Sequence, residues 1–393
     1  MKIIGLDVCK DSVVAWELSE IPRSLKAHFK ENKRPVRNDP LKFYANAEGI
    51  RGLLALEPAA VIMEPTGVHY SWVFAHICEK ENIPVLWVGH TEVRHYRRQN
   101  KLPDKNDQAD ALALAAYALS HWGDDEFFIS FSPGAAVKLR EFYLQLKSLA
   151  RIQSPIINRL RQQLAREFPE AALKESKPAA DGLSPLWAWV AGRQRKMVKK
   201  SSTYDRLYSK SIAPAYGVQI SDFSRRLADW LCDIHTWERE LEFEIRTLLE
   251  QDEFIPYVQV FRSFGLGLRT QALILSQIYP ISRFDSLGGF KRRLGMAKVE
   301  ESSGDREAFL TGAGSKMCRS ALYLWVLTSI APARSRLKTP TVELLGKFYD
   351  ERRSRFAGED NLTKGFGSLI ICQTAAYGCR LLFKELKRGI YVP

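Results

Sequence analysis

Four carboxylates in the first third of the chain stand out by position. Asp7 interrupts the apolar run G-L-D-V, Glu64 closes another in V-I-M-E-P-T-G, and Asp107 and Asp110 lie three residues apart in K-N-D-Q-A-D-A. An ionised side chain inside a buried strand is costly unless it meets a partner, and acids three apart on a helix share a face. Oxygen donors of this kind suit Mg²⁺, which takes a few carboxylates and leaves positions for phosphate oxygens. Paired ions stabilise the attacking and leaving oxygens of phosphoryl transfer. Plainer readings exist: Asp107 as a helix N-cap, and Asp110 as a first-turn acid favoured by the helix dipole. Asp7 resists such a reading, because Asp is disfavoured within strands.

The elements that must position these acids read as α/β. Residues 2–8 and 12–18 are short apolar runs joined by a tight turn, 59–63 and 83–88 are compact strand candidates, and 48–56, 68–81 and 107–122 carry helical spacing. Strands alternating with helices predict a mostly parallel sheet with an antiparallel hairpin at one side. A phosphate-cradling hairpin of the sugar-kinase or actin-like ATPase kind needs glycine for backbone approach. Cys9-Lys10-Asp11-Ser12 contains none, and that alternative is disfavoured. Before Asp107 runs a basic loop, Arg94-His95-Tyr96-Arg97-Arg98 with Lys101 and Lys105, which reads either as a phosphate contact or as a solvated loop. His69 and His95 read as structural residues.

Beyond residue 135 the pattern changes. Residues 137–168 and 221–249 predict two long amphipathic helices, separated by a stretch punctuated with Pro and Gly. Within that stretch, residues 193–210 hold seven basic residues against Asp205 alone. Residues 256–393 read as helical, with helices predicted over 269–278, 316–330 and 365–385 and a glycine-marked stretch at 287–298.

A formal charge of +13 points to a polyanionic partner, and 46% apolar residues are enough for packed cores. The apolar stretches are too short to span a bilayer, and Asp7, Lys10 and Asp11 interrupt any leader-like start. The six cysteines have no metal-binding or C-x-x-C spacing and read as thiols of a reducing compartment.

Taken together, G-L-D-V-C-K-D-S, M-E-P-T-G-V-H-Y and K-N-D-Q-A-D-A resemble the three acidic motifs of the DEDD-type insertion-sequence transposases. That group includes bridge-RNA-guided recombinases and the pilin-inversion recombinase Piv. F-G-L-G-L-R-T-Q-A-L-I-L-S-Q-I resembles the family's helix-hairpin-helix-like segment, and G-F-K-R-R-L-G-M-A-K-V-E-E-S-S-G its short stretch ending in Ser-Gly. The resemblance covers both ends of the chain in the family's order. Departures are Cys9 where Ser or Ala is common, an apparent insertion at residues 33–39, a longer central segment, and a less basic stretch after Ser303.

The resemblance implies three domains: a RuvC-like, RNase H-type α/β domain over 1–130, a helical coiled-coil stalk with a basic insertion over 131–255, and a mainly helical transposase domain over 256–393. It implies that Asp7, Glu64, Asp107 and Asp110 hold Mg²⁺, with Mn²⁺ as a substitute. Ser303, beside Gly304 in a loop between two helices, is then the nucleophile that forms a phosphoserine link to DNA, with Ser302 as the neighbouring alternative. The expected partners are donor and target DNA, a guide or bridge RNA, and further copies of the chain in a homodimer or homotetramer, with the stalk as the dimerisation element. The expected location is the prokaryotic cytoplasm, at the nucleoid. Two alternatives remain: a RuvC-like endonuclease using water, which Ser302-Ser303-Gly304 argues against, and a non-catalytic transposon-derived nucleic-acid-binding protein, which the four acids argue against.

Overall fold

The computed structural model describes all residues except 34–40, 66–67, 105, 125–126, 130–134, 179–181, 194–200, 304–305, 357–365 and 391–393, and omits the side chains of 68–69, 201, 298–303, 306–313, 356 and 366. The segment read as an insertion, 33–39, lies outside the described residues apart from Lys33. The chain divides into two compact units, Met1–Phe131 and Ser132–Pro393.

The first unit opens with β1 (Ile3–Val8) and β2 (Ser12–Leu18), whose turn is closed by the Cys9 N–H donating to the Ser12 carbonyl at 2.8 Å. There follow α1 (Leu25–Asn32), β3 (Lys42–Tyr44), α2 (Ala47–Leu54), β4 (Ala60–Met63), α3 (Val68–Lys80), β5 (Val85–Trp87), α4 (His90–Gln99) and α5 (Asp107–Ser120). The sheet order is β3-β2-β1-β4-β5, antiparallel on the β2 side of β1 and parallel from β1 through β4 to β5. This is the mixed α/β arrangement expected. Two elements depart from the sequence reading. The short strand β3 pairs at the edge, and the basic stretch before Asp107 is the helix α4 rather than a loop. Val93 and Arg97, four residues apart, are buried while Arg94, His95 and Arg98 are exposed, so a basic sequence forms a helix with one packed face.

Strand periodicity sorts β1 between two cores. Ile4, Leu6 and Val8 pack with Phe43, Leu53, Val61 and Met63, whereas Ile3 belongs to the core that includes α5. Gly5 and Asp7 share Ile3's face. α5 can lie close there because it is built largely of alanine: a Cβ on Gly5 would come 2.0 Å from the Ala111 carbonyl oxygen and 2.6 Å from the Ala115 nitrogen.

In the second unit α6 (Ala135–Glu167) leads to the short helices α7 (Pro169–Ala172), α8 (Pro185–Val190), α9 (Ser201–Tyr208) and α10 (Ile212–Ala215), then to α11 (Asp222–Leu249). α6 and α11 pack together. The buried Glu167 carboxylate at the end of α6 accepts from the Ser221 hydroxyl at 2.8 Å, and Ser221 also caps α11 through the Ser224 N–H. Pro155 lies inside α6. After α12 (Ile255–Ser263), α13 (Leu268–Ile278) and α14 (Leu287–Arg293) come β6 (Ala297–Ser303) and β7 (Arg306–Ala313), then α15 (Lys316–Trp325), α16 (Pro340–Phe356) and α17 (Phe366–Ile390). The antiparallel pair β6–β7 adds two strands that the helical pattern of this region did not predict. Its sequence carries no sustained apolar alternation, and the strands are defined by backbone pairing from Ala297 opposite Ala313 to Ser303 opposite Arg306. One hydrophobic core runs through this unit from Ala136 to Leu386.

Candidate active site

The carboxyl ends of the three parallel strands collect the first polar groups. β1 and β4 run in register with Leu6 beside Met63, so Asp7 and Glu64 are the next residues of adjacent strands. Crevices at such strand ends are where open α/β sheets place their chemistry. Ala111 and Ala115 lie against Gly5, and Asp107 and Asp110 precede them on α5 while Asp7 follows Gly5 on β1. Close helix–strand packing therefore carries the α5 acids towards the strand-end acids.

Asp107 is not the N-cap of α5. Asn106 fills that position, its Oδ1 accepting from the Ala109 N–H at 3.0 Å, which leaves the Asp107 carboxylate outside the capping arrangement. The plainer reading of this residue is thereby removed.

Electrostatics ties the four acids together. Asp7 is pushed from 3.8 up to about 7, first by burial and then by the negative charges of Asp110, Asp107 and Glu64, with Arg97 opposing. Burial also raises Asp110 and Glu64 from their ordinary values, against the counter-pull of Arg97 on the first and of His90 on the second. The Cys9 thiol is raised by burial and by Asp107 and Asp7. A partly buried group of like charges of this kind favours protons or cations.

Two basic residues that the sequence reading did not assign meet this need. Arg97 donates from Nη1 to Asp110 and from Nη2 to Asp104 at 3.0 Å, and His90, at the start of α4, donates from Nδ1 to Glu64. The signals were present: a histidine three residues beyond a strand end, and an arginine one helical turn after Val93. Lone-residue arguments did not single them out.

The donor set has the chemistry of a hard-cation site, oxygen ligands with unrelieved negative charge. Among the described residues, no three His, Cys, Asp or Glu side chains are grouped closely enough to hold an ion as they stand. Arg97 and His90 instead engage Asp110 and Glu64, so ion binding requires those carboxylates to turn from their basic partners.

Ser302 and Ser303 lie at the end of β6, their Cα atoms opposite those of Glu307 and Arg306. The expected loop between two helices is not what holds Ser303; it is the last residue of strand β6. Gly304 lies outside the described residues. Ser303 belongs to the second unit, whereas the four acids belong to the first. Among the described residues, no helix is long and apolar enough to cross a membrane.

A family model for DEDD transposases of the IS110 type, described as a transposase, matches residues 4–169. A second, described as the transposase IS116/IS110/IS902 family, matches residues 260–340. The first match contains Asp7, Glu64, Asp107 and Asp110, and the second contains Ser302 and Ser303. No curated protein matches the chain. Together the two matches span more than half of the chain, and it belongs to the IS110-type DEDD transposases, enzymes of DNA transposition that act on phosphodiester bonds.

Proposed function

We propose that the enzyme cuts and rejoins DNA by transesterification, with Ser303 as nucleophile and Asp7, Glu64, Asp107 and Asp110 as the metal-binding acids. The observation that carries this reading is the electrostatic convergence of Asp110, Asp107 and Glu64 on Asp7, within a segment matched as a DEDD transposase. When bound, Mg²⁺ supplies charge stabilisation to the phosphate oxygens. The Ser303 hydroxyl forms an Oγ–P bond as a P–O bond of the strand breaks, and the hydroxyl proton passes to the departing strand oxygen. Reversal by the hydroxyl of a second strand releases the serine and joins that strand, so bond energy is conserved without ATP.

On this reading the first unit is an RNase H-type, RuvC-like domain, with the central and C-terminal parts of the second acting as stalk and serine-bearing domain. Serine and acids of one site come from different subunits of a dimer or tetramer. The two long helices α6 and α11 form the coiled-coil stalk that joins copies. Support comes from α11, which leaves Phe223, Trp230 and Trp237 about half exposed at seven-residue steps. A bridge RNA selects the DNA, in the prokaryotic cytoplasm. The net charge of +13 suits both nucleic acids.

The experiment is to trap the covalent intermediate on a duplex nicked near the exchange point. Mass spectrometry of the digest is expected to find DNA joined to a peptide covering residues 299–306, lost in Ser303→Ala and kept in Ser302→Ala. Strand cleavage without a protein–DNA adduct, or an active Ser303→Ala enzyme, points to a nuclease in which water attacks. RNA that copurifies with the enzyme and restores sequence-specific exchange when added back tests the guide.

A further inference from the structure

Away from the acids, the second unit holds a cavity of about 500 Å³ between α11, the first turn of α13 and the loop before α8. It falls within the usual size range of small-ligand sites. α11 supplies most of its wall. His235, Glu238, Arg239, Glu242, Phe243 and Arg246 stand at positions i, i+3, i+4, i+7, i+8 and i+11 and so form one flank of the helix. This flank differs from the one bearing Phe223, Trp230 and Trp237, so the cavity is separate from the assembly face proposed above.

Three observations give the cavity a chemistry. His235 is 4% exposed, and its buried Nδ1 has no hydrogen-bond partner among the described residues, a deficit that folded proteins rarely leave. Arg269 is fixed by two acids, donating to Glu242 at 2.7 Å and to Glu238 at 3.4 Å. Arg239 and Arg246 are exposed and have no acidic partner among the described residues. Between these two arginines in sequence stands Phe243, 65% exposed. Gly182 completes the wall: its backbone has φ +85°, and a Cβ there would come 3.0 Å from Arg239 Cδ, so the arginine stem lies against a position that favours glycine.

An exposed aromatic ring, flanked by guanidinium groups that have no acidic partner among the described residues, is the combination that takes a base on its π-face and its phosphate by charge-assisted hydrogen bonds. We propose that this cavity binds one nucleotide of a single-stranded nucleic acid, the base against Phe243 and the phosphate held by Arg239 and Arg246. The Arg269-anchored carboxylates of Glu238 and Glu242 then face the base edge and discriminate among bases, with the His235 imidazole in the wall behind them. A duplex does not fit, because its bases are stacked and paired. The proposal rests on the nucleic-acid-binding reading of the enzyme, and it is independent of the acids and of Ser303.

The test uses the full-length protein with single-stranded RNA and DNA oligonucleotides carrying 5-iodouridine. Irradiation is expected to join the oligonucleotide to the tryptic peptide of residues 240–246. Phe243→Ala should lose the adduct and Phe243→Trp should restore it. The double variant Arg239→Ala/Arg246→Ala should weaken single-strand affinity roughly tenfold or more while leaving duplex affinity within about twofold. Melting curves of the variants should match wild type, since all three side chains are exposed. Displacement of the strand by uridine monophosphate at equal concentration assigns the cavity to a free nucleotide, and resistance to it assigns the strand. Adducts only outside residues 240–246, with unchanged affinity in the double variant, overturn the proposal. So does displacement of the strand by polyglutamate in the absence of any adduct, which marks the cavity as a site for acidic peptide. An Asp7→Asn variant that still cleaves and keeps the crosslink overturns the catalytic reading alone, whereas a wild-type protein that cleaves but gives no adduct in residues 240–246 overturns this one alone.

Discussion

Arg97 on α4 reaches α5 to hydrogen-bond Asp110, one of the four motif acids, while a second nitrogen of the same guanidinium holds Asp104 at 3.0 Å. The arginine is 9% exposed, so its charge is spent within the fold. A residue from the basic stretch thereby acts as the internal counterion of an acidic site.

Replacing it tests that relationship. Arg97→Met should destabilise the metal-free protein by about 1.5–3 kcal/mol, the range for hydrogen bonds to charged groups. Added Mg²⁺ should recover more stability in the variant than in wild type, because a cation then neutralises acids that have lost their arginine. Urea denaturation with EDTA or with Mg²⁺ measures both. Equal gains in the two proteins would separate Arg97 from the ion site.

The proton affinity of Asp7 gives a pH signature. Its carboxyl is raised from 3.8 to about 7 in the fold, so the fold favours the protonated form. Stability linked to this group is present below the ordinary carboxylate range and is lost as pH rises through about 7. Asp7→Asn mimics the protonated state. In EDTA the variant should melt about 5–10 °C above wild type at pH 8, and the gap should close steadily towards pH 4. A gap independent of pH in thermal melts would contradict the assignment.

Gly5 should be nearly irreplaceable. Gly5→Ala drives a methyl group into the α5 backbone and should cost about 3 kcal/mol, with α5 and its acids displaced from β1. Gly267, whose Cβ would meet nothing within 4 Å, is the control, and Gly267→Ala should change stability by about 0.5 kcal/mol or less. Paired urea titrations of the two variants measure the difference.

Assembly is tested on α11. Trp230→Glu combined with Trp237→Glu should shift the full-length protein to a monomer by light scattering, with helicity by circular dichroism unchanged, since both rings are about half exposed. A wild-type protein already monomeric on its nucleic acid would sink the stalk reading.

The sequence was most informative where one periodicity ruled a whole element. The run at 12–18 is β2 residue for residue, and the stretches at 137–168 and 221–249 are α6 and α11 to within two residues at each end. It was least informative where charge concealed packing. α4 reads as a basic loop because only Val93, Tyr96 and Arg97 are drawn inward, and a buried arginine looks like a solvated one until its acid is known. The β6–β7 pair has no sustained apolar alternation to betray it. Within the candidate site, the positions of the four acids at strand ends and a helix start were legible. Their dependence on Gly5, Asn106, His90 and Arg97 was not, because each of those roles exists only once separate elements have met.

Pro155 has a consequence for the whole of α6. It brings no N–H to the helical ladder of α6, so the Arg151 carbonyl four residues earlier has no helical donor. Buried leucines and isoleucines anchor the helix on both sides, Leu139, Leu146 and Leu149 before the proline and Ile156, Leu160 and Leu164 after it. α6 is thus one helix whose ladder lacks a rung at a single place, with each half pinned to the core separately.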